Sequence, residues 1–84
     1  MVISTTDMLA EVIRDRRIRR SLNQEQVGRL VGIKQTTISA LENHPERSRV
    51  ETLFKILSAL GLELHIADKT AAPDSQPDQG ATPW

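Results

Sequence analysis

The sequence predicts a mainly α domain: a bundle of four short helices, two of them forming a helix-turn-helix, followed by one C-terminal β-strand that pairs across a homodimer. Three observations predict it. Between Leu9 and Leu60, apolar residues recur at helical spacing, interrupted only by short polar breaks. Val31-Gly32-Ile33 places a glycine in a tight bend between two of these patterns, as a sharp interhelical turn requires. Leu62-Glu63-Leu64-His65-Ile66 is apolar at every second residue, the period of a half-buried strand.

Each element has its own signals. Thr6 or Thr5 can cap a first helix whose Leu9, Val12, Ile13 and Arg16 share a face; it runs to about Arg20 and exits through Ser21 and Leu22. Asn23 caps a short second helix striped by Val27, Leu30 and Val31, and Gly32 stops it. Gln35 to Asn43 forms the third, with Ile38 and Leu41 on one side and Gln35, Thr36, Ser39, Ala40 and Asn43 on or near the other. After the break at His44-Pro45-Glu46, Ser48-Arg49-Val50-Glu51 has the form of a capping box for a fourth helix closing at Gly61. That helix holds Val50, Leu53, Phe54, Ile56, Leu57, Ala59 and Leu60, an apolar surface too wide for one core-facing stripe.

The second apolar face and the lone strand both call for a second copy of the chain. A strand without a neighbour leaves its backbone donors and acceptors unpaired, so antiparallel pairing with its own twofold mate is the simplest solution. The expected dimer interface is Val50, Phe54 and Leu57 on the helix and Leu62, Leu64 and Ile66 on the strand. A wide helix-four stripe serving only a monomer core is the plainer alternative.

With 84 residues and no cysteine, the chain has room for one small core and has no disulfide or zinc-thiolate to reinforce it. Residues 1–67 read as the folded domain. Residues 68–84 read as a disordered tail: from Thr70 onward there are three prolines, one glycine and no aliphatic residue but alanine. The tail ends in Pro83-Trp84, carrying the only tryptophan; a polar tether with an aromatic end reads as a short anchor for a partner protein, or as an idle terminus. No apolar run approaches the roughly 18 residues of a membrane span and Met1 to Asp7 does not resemble a signal peptide, so a cytoplasmic location without membrane contact is expected.

Eleven basic and eleven acidic residues balance, which excludes a uniformly basic coat. Charge is unevenly placed, however. From Arg14 to Arg49 there are nine basic residues and four acidic ones, and the remainder is correspondingly acidic. A basic half around a helix-turn-helix suits DNA phosphates, although arginine runs such as Arg14 to Arg20 are often only solvated helix surface. Catalysis is excluded by inventory: no cysteine or tyrosine, no glycine-rich phosphate loop, no framed carboxylate pair. His44 and His65 read as surface residues, and no metal or cofactor is implied.

The DNA-reading candidates follow from groove chemistry. Gln35 can bond adenine bidentately, Lys34 can reach guanine or phosphate, Thr36 and Ala40 can meet a thymine methyl, and Thr37 and Ser39 can bond phosphate. Asn23 and Gln24 put the positive end of the second helix toward the backbone.

Leu22-Asn23-Gln24-x-x-Val27 followed by Val31-Gly32-Ile33-Lys34-Gln35-Thr36-Thr37-Ile38-Ser39-x-Leu41-Glu42-Asn43 resembles the helix-turn-helix of Cro- and C1-type phage repressors over about residues 7–61. Within that family, Ile33 to Ser39, Phe54-Lys55-Ile56-Leu57, the Leu62 to Ile66 segment and the tail ending in tryptophan look like the HipB antitoxins. The resemblance implies Gln35, Thr36 and Ala40 at base-reading positions with Lys34 beside them, and Asn23, Gln24 and Asn43 facing phosphate. It also implies a dimeric repressor that binds a palindromic operator in double-stranded DNA and restrains a HipA-type serine/threonine kinase toxin. Two other readings stay open: a stand-alone regulator without a toxin, and an accessory toxin-binding module whose neutralising role lies on another protein. Ser21, where many relatives carry glycine, and Arg16, where many are apolar, depart from the pattern.

Overall fold

The computed structural model describes residues 2–69. Helix α1 spans Thr6–Arg19, α2 Gln24–Val31 and α3 Gln35–Asn43; a 3-10 turn at Pro45–Arg47 leads into α4, Val50–Ala59. One core lies at their centre, built from Ile13, Val27, Ile38, Leu41, Ile56, Leu57 and Leu60, with Leu9, Leu22, Ile33, Leu53, Ala59 and Leu62 packed around it. None of the helices is long and apolar enough to cross a membrane among the described residues.

Local chemistry fixes the helix ends. The Met8 amide donates to Thr5 Oγ1 at the start of α1, 3.1 Å away. At its end Ser21 adopts a left-handed φ of 57°, and the Leu22 and Ser21 amides donate back to the Arg17 and Ile18 carbonyls. This is a Schellman closure, the role usually given to glycine because a Cβ is disfavoured there. It turns Leu22 back onto the core. The same closure recurs after α4, where Gly61 has φ 69° and Leu62 N–H donates to Leu57 O at 2.8 Å. Asn23 and Gln26 form a reciprocal capping box at the start of α2.

The hinge between α2 and α3 rests on two glycines. Gly32 takes a φ of 72°, as the turn signal predicts. Gly28 matters for a different reason: a Cβ there would overlap the Ile33 carbonyl oxygen and lie 3.3 Å from its carbon. The two helices approach backbone to backbone at this point, and the Ile33 amide donates to Gly28 O at 2.8 Å.

Three expectations are corrected. Ser48 does not cap α4: its amide closes the 3-10 turn onto Pro45 O, so the helix opens one residue later on Arg49, with no side-chain cap. Glu51 therefore stands one position too early for a capping box. Leu57, expected at a dimer interface, is 5% exposed within the chain's own core, and Leu62 packs partly against that core. Finally, no strand is formed among the described residues; 62–68 follow α4 without regular structure. A ladder needs a second strand, and these residues have none within one chain. The expected tail from Thr70 to Trp84 lies outside the described residues.

Candidate nucleic-acid interface

The core positions α3 by its inner side. Ile38 and Leu41 are buried, as are Val27 of α2 and Ile56 and Leu60 of α4, so the opposite side of α3 faces outward. There Gln35, Thr36, Ala40 and Asn43 are exposed, Thr37 and Ser39 are half-buried, and Lys34 stands exposed as the N-cap residue. Small and polar side chains thus cover an unobstructed helical ridge, with Asn43 Nδ2 donating to Ser39 Oγ at 3.2 Å. A convex ridge of this width suits a major groove.

Asn23 and Gln24 have structural duties as well. Asn23 Oδ1 accepts the Gln26 amide at 2.8 Å, which leaves its side-chain NH₂ for an outside acceptor. Gln24 is half-buried and joins a polar chain running through three helices. Arg17 of α1 grips Glu42 of α3 with both arms of the guanidinium, Nε to Oε2 at 2.7 Å and Nη2 to Oε1 at 3.0 Å. The third arm, Nη1, donates to Leu22 O at 2.9 Å and ties in the turn after α1. Glu42 Oε1 also accepts Gln24 Nε2 at 3.1 Å, and Gln24 Oε1 accepts Gln35 Nε2 at 2.6 Å. An open cleft lined by Arg17, Asn23, Gln24, Glu25 and Gln35 marks the surface end of this chain.

The ion pair is sequestered, its side chains 12% exposed for Arg17 and 3% for Glu42. Such a pair is weak evidence for net stability, yet removing one partner strands a charge and costs about 3–5 kcal/mol. The sequence reading grouped Arg17 with a phosphate-directed arginine run and did not single out Glu42 or Gly28. The signals existed. Arg17 lies four residues after Ile13 and Glu42 four after Ile38, so each is a charge on the core-facing stripe of its helix. Gly28 interrupts a short helix where alanine would be better by about 1 kcal/mol, a mark of close packing.

The remaining cations sort by partner. Arg19 pairs with Asp15 at 3.0 Å and Arg29 with Glu25 at 3.2 Å, both exposed i,i+4 contacts. Arg14, Arg20, Lys34, Arg47 and Arg49 have no ion-pair partner among the described residues. Lys34 flanks the start of α3 and Arg47 and Arg49 follow its end, so both ends of the ridge carry positive charge. His44 and His65 each contact a neighbouring glutamate, and no cluster of three metal-binding side chains occurs among the described residues.

Comparison with known proteins decides the family. Residues 13–66 match the helix-turn-helix family. Antitoxin HipB of Escherichia coli strain K12 is 36% identical over 78 residues, 92% of this chain and 89% of that protein. The chain belongs to the HipB-type antitoxins of the Cro/C1 helix-turn-helix family. Among solved structures, the HipB chain of a HipB-O4 20mer complex superposes with a TM-score of 0.81 at 33% identity, covering 83% of this chain and 99% of that one. A HipB chain from a HipA-HipB-O2-O3 complex matches equally well, with the same score, identity and coverage. The HipB-type fold therefore extends from α1 through α4, and the Arg17–Glu42 chain lies within it.

Proposed function

We propose that this HipB-type chain is a dimeric repressor that reads a palindromic operator with α3 and binds a HipA-type kinase toxin. The outward ridge of α3 carries the reading: its base-facing side chains are Gln35, Thr36 and Ala40, with Lys34 beside them. Thr37, Ser39, Asn43, Asn23, Gln24, Arg47 and Arg49 reach toward phosphates. HipB relatives of the same fold have been solved with operator fragments and with HipA, which supports both partners.

Dimerisation has support in the exposed apolar side chains. Val50 is 66% exposed, Phe54 50%, Leu64 44% and Ile66 92%, all beyond the core that Leu57 and Leu62 help close. Covering them with a second copy removes that apolar area from water, contributing about 1 kcal/mol or more for each side chain. The 62–66 segment gains its missing hydrogen-bond partner in the same step, as an antiparallel pair across the twofold axis. Two α3 helices then meet half-sites about 34–36 Å apart, or a multiple of that spacing. The tail from residue 68, with Pro83 and Trp84, is the proposed toxin contact.

The test replaces Gln35 by Ala and measures binding to operator duplexes with each base pair varied. Discrimination at one position per half-site should fall by about 1–3 kcal/mol while other positions keep theirs. A variant with the wild-type preference at every position would refute the assignment.

A further inference from the structure

The polar chain behind α3 has a direction, and that direction bears on which base Gln35 accepts. An ionised carboxylate can only accept hydrogen bonds. Glu42, clamped by Arg17, therefore obliges Gln24 to turn its NH₂ inward, as the 3.1 Å contact from Gln24 Nε2 to Glu42 Oε1 reflects. The Gln24 oxygen then necessarily points outward, toward α3. There it accepts Gln35 Nε2 at 2.6 Å. Turned over, the Gln35 amide would set its own oxygen against the Gln24 oxygen at that distance, two acceptors with no proton between them.

One of the two Gln35 N–H groups is consumed in this way. What remains is one N–H and the carbonyl oxygen, the donor and acceptor that the adenine N7 and N6 amino group need. Guanine presents two acceptors, N7 and O6, on the same edge. An untethered glutamine amide could offer both N–H groups to it; the tethered one cannot. We propose that Arg17, Glu42 and Gln24 are positioning residues for base discrimination, a relay that fixes the polarity of the Gln35 amide and so favours A·T over G·C at its base pair. The inference rests on Gln35 being a base-reading residue, and its test separates the two.

The experiment uses the full-length protein and synthetic duplexes carrying the inverted repeat that the wild-type protein selects, varied at one base pair at a time. Binding is measured for wild type, Gln35→Ala, Glu42→Gln and the double variant, each normalised to its DNA-competent fraction. Glu42→Gln keeps the shape but can donate, so the Gln24 amide is free to reverse. It should narrow the A·T over G·C ratio at the Gln35 position by about five- to tenfold and leave the ratios at other positions alone. In the double variant it should narrow nothing beyond what Gln35→Ala already does.

A residue needed only for folding would lower every affinity alike and leave the ratios intact, and that result overturns the proposal. Should Glu42→Gln fail to fold, Gln24→Leu breaks the relay outside the buried pair and must give the same narrowing. If Gln35→Ala removes the preference while Glu42→Gln and Gln24→Leu retain it, the relay is wrong and Gln35 still reads the base. If Gln35→Ala changes no ratio, both fall.

Discussion

Gly28→Ala tests how α2 holds α3. In a helix interior this substitution ordinarily stabilises by about 1 kcal/mol. Here the new methyl carbon overlaps the Ile33 carbonyl oxygen and falls 3.3 Å from the Ile33 carbon and 3.6 Å from the Gln35 nitrogen. Ordinary carbon–oxygen contacts are about 3.3–3.6 Å, so the α2–α3 connection must move by on the order of 1 Å. The obstacle is backbone, with no flexible side-chain end to swing away. The Ile33 N–H bond to Gly28 O, 2.8 Å long, lies in the path of that movement. Overpacking of this kind costs about 1–3 kcal/mol, occasionally more, and it outweighs the helical gain. The expected net loss is about 2 kcal/mol, which lowers the thermal midpoint by about 8–16 °C for a domain of this size. Because a dimer's midpoint depends on concentration, wild type and variant are compared at equal protomer concentration by urea and thermal unfolding. DNA affinity of the folded fraction should also fall, since the displaced backbone is the one that begins α3. A variant as stable as wild type, within about 0.5 kcal/mol, would refute the close backbone contact.

Two further outcomes are expected. Ser21→Gly relieves a left-handed residue at the α1 closure and should raise stability by about 0.5–1 kcal/mol in urea unfolding; an unchanged or lower midpoint would mean the φ of 57° carries no cost. Phe54→Asp puts a charge on the half-exposed face of α4 without entering the core, so light scattering should report a single protomer with wild-type helicity, and an unaltered dimer mass would remove this face from the interface.

Where a signal was local, the sequence carried it well. The bounds of α3 follow from the two-residue turn before Gln35 and the His44-Pro45 break after Asn43, both readable within one helical turn. Asn23 and Gly32 bracket α2 for the same reason, since caps are made by neighbours. Errors arose where a neighbour in space decided the outcome. Ser48 has the right spacing to cap α4, but the 3-10 turn at Pro45–Arg47 had already used its amide. Leu57 and Phe54 look equivalent on a helical wheel, and only the placement of α4 against α2 buries one and exposes the other.

The polar side of the candidate site divides the same way. Residue type alone nominates Gln35, Thr36 and Ala40, because groove chemistry asks for those side chains on the outer face of one helix. The support behind them depends on a pair 25 residues apart, Arg17 and Glu42, and no local pattern joins them. Each could be noticed only as a charge standing on an apolar stripe. The dimer faces the same limit: the alternation of Leu62 to Ile66 is visible in one chain, whereas its ladder exists only between two.

Selection of bound duplexes from a random pool by the full-length protein, with the salt dependence of binding measured on the winners, addresses the central claim most directly. The account predicts an inverted repeat whose half-sites lie one or more helical turns apart, bound by two protomers, with log affinity falling linearly against log salt. Enrichment of no sequence, or of a single unrepeated half-site bound by one protomer, would contradict it.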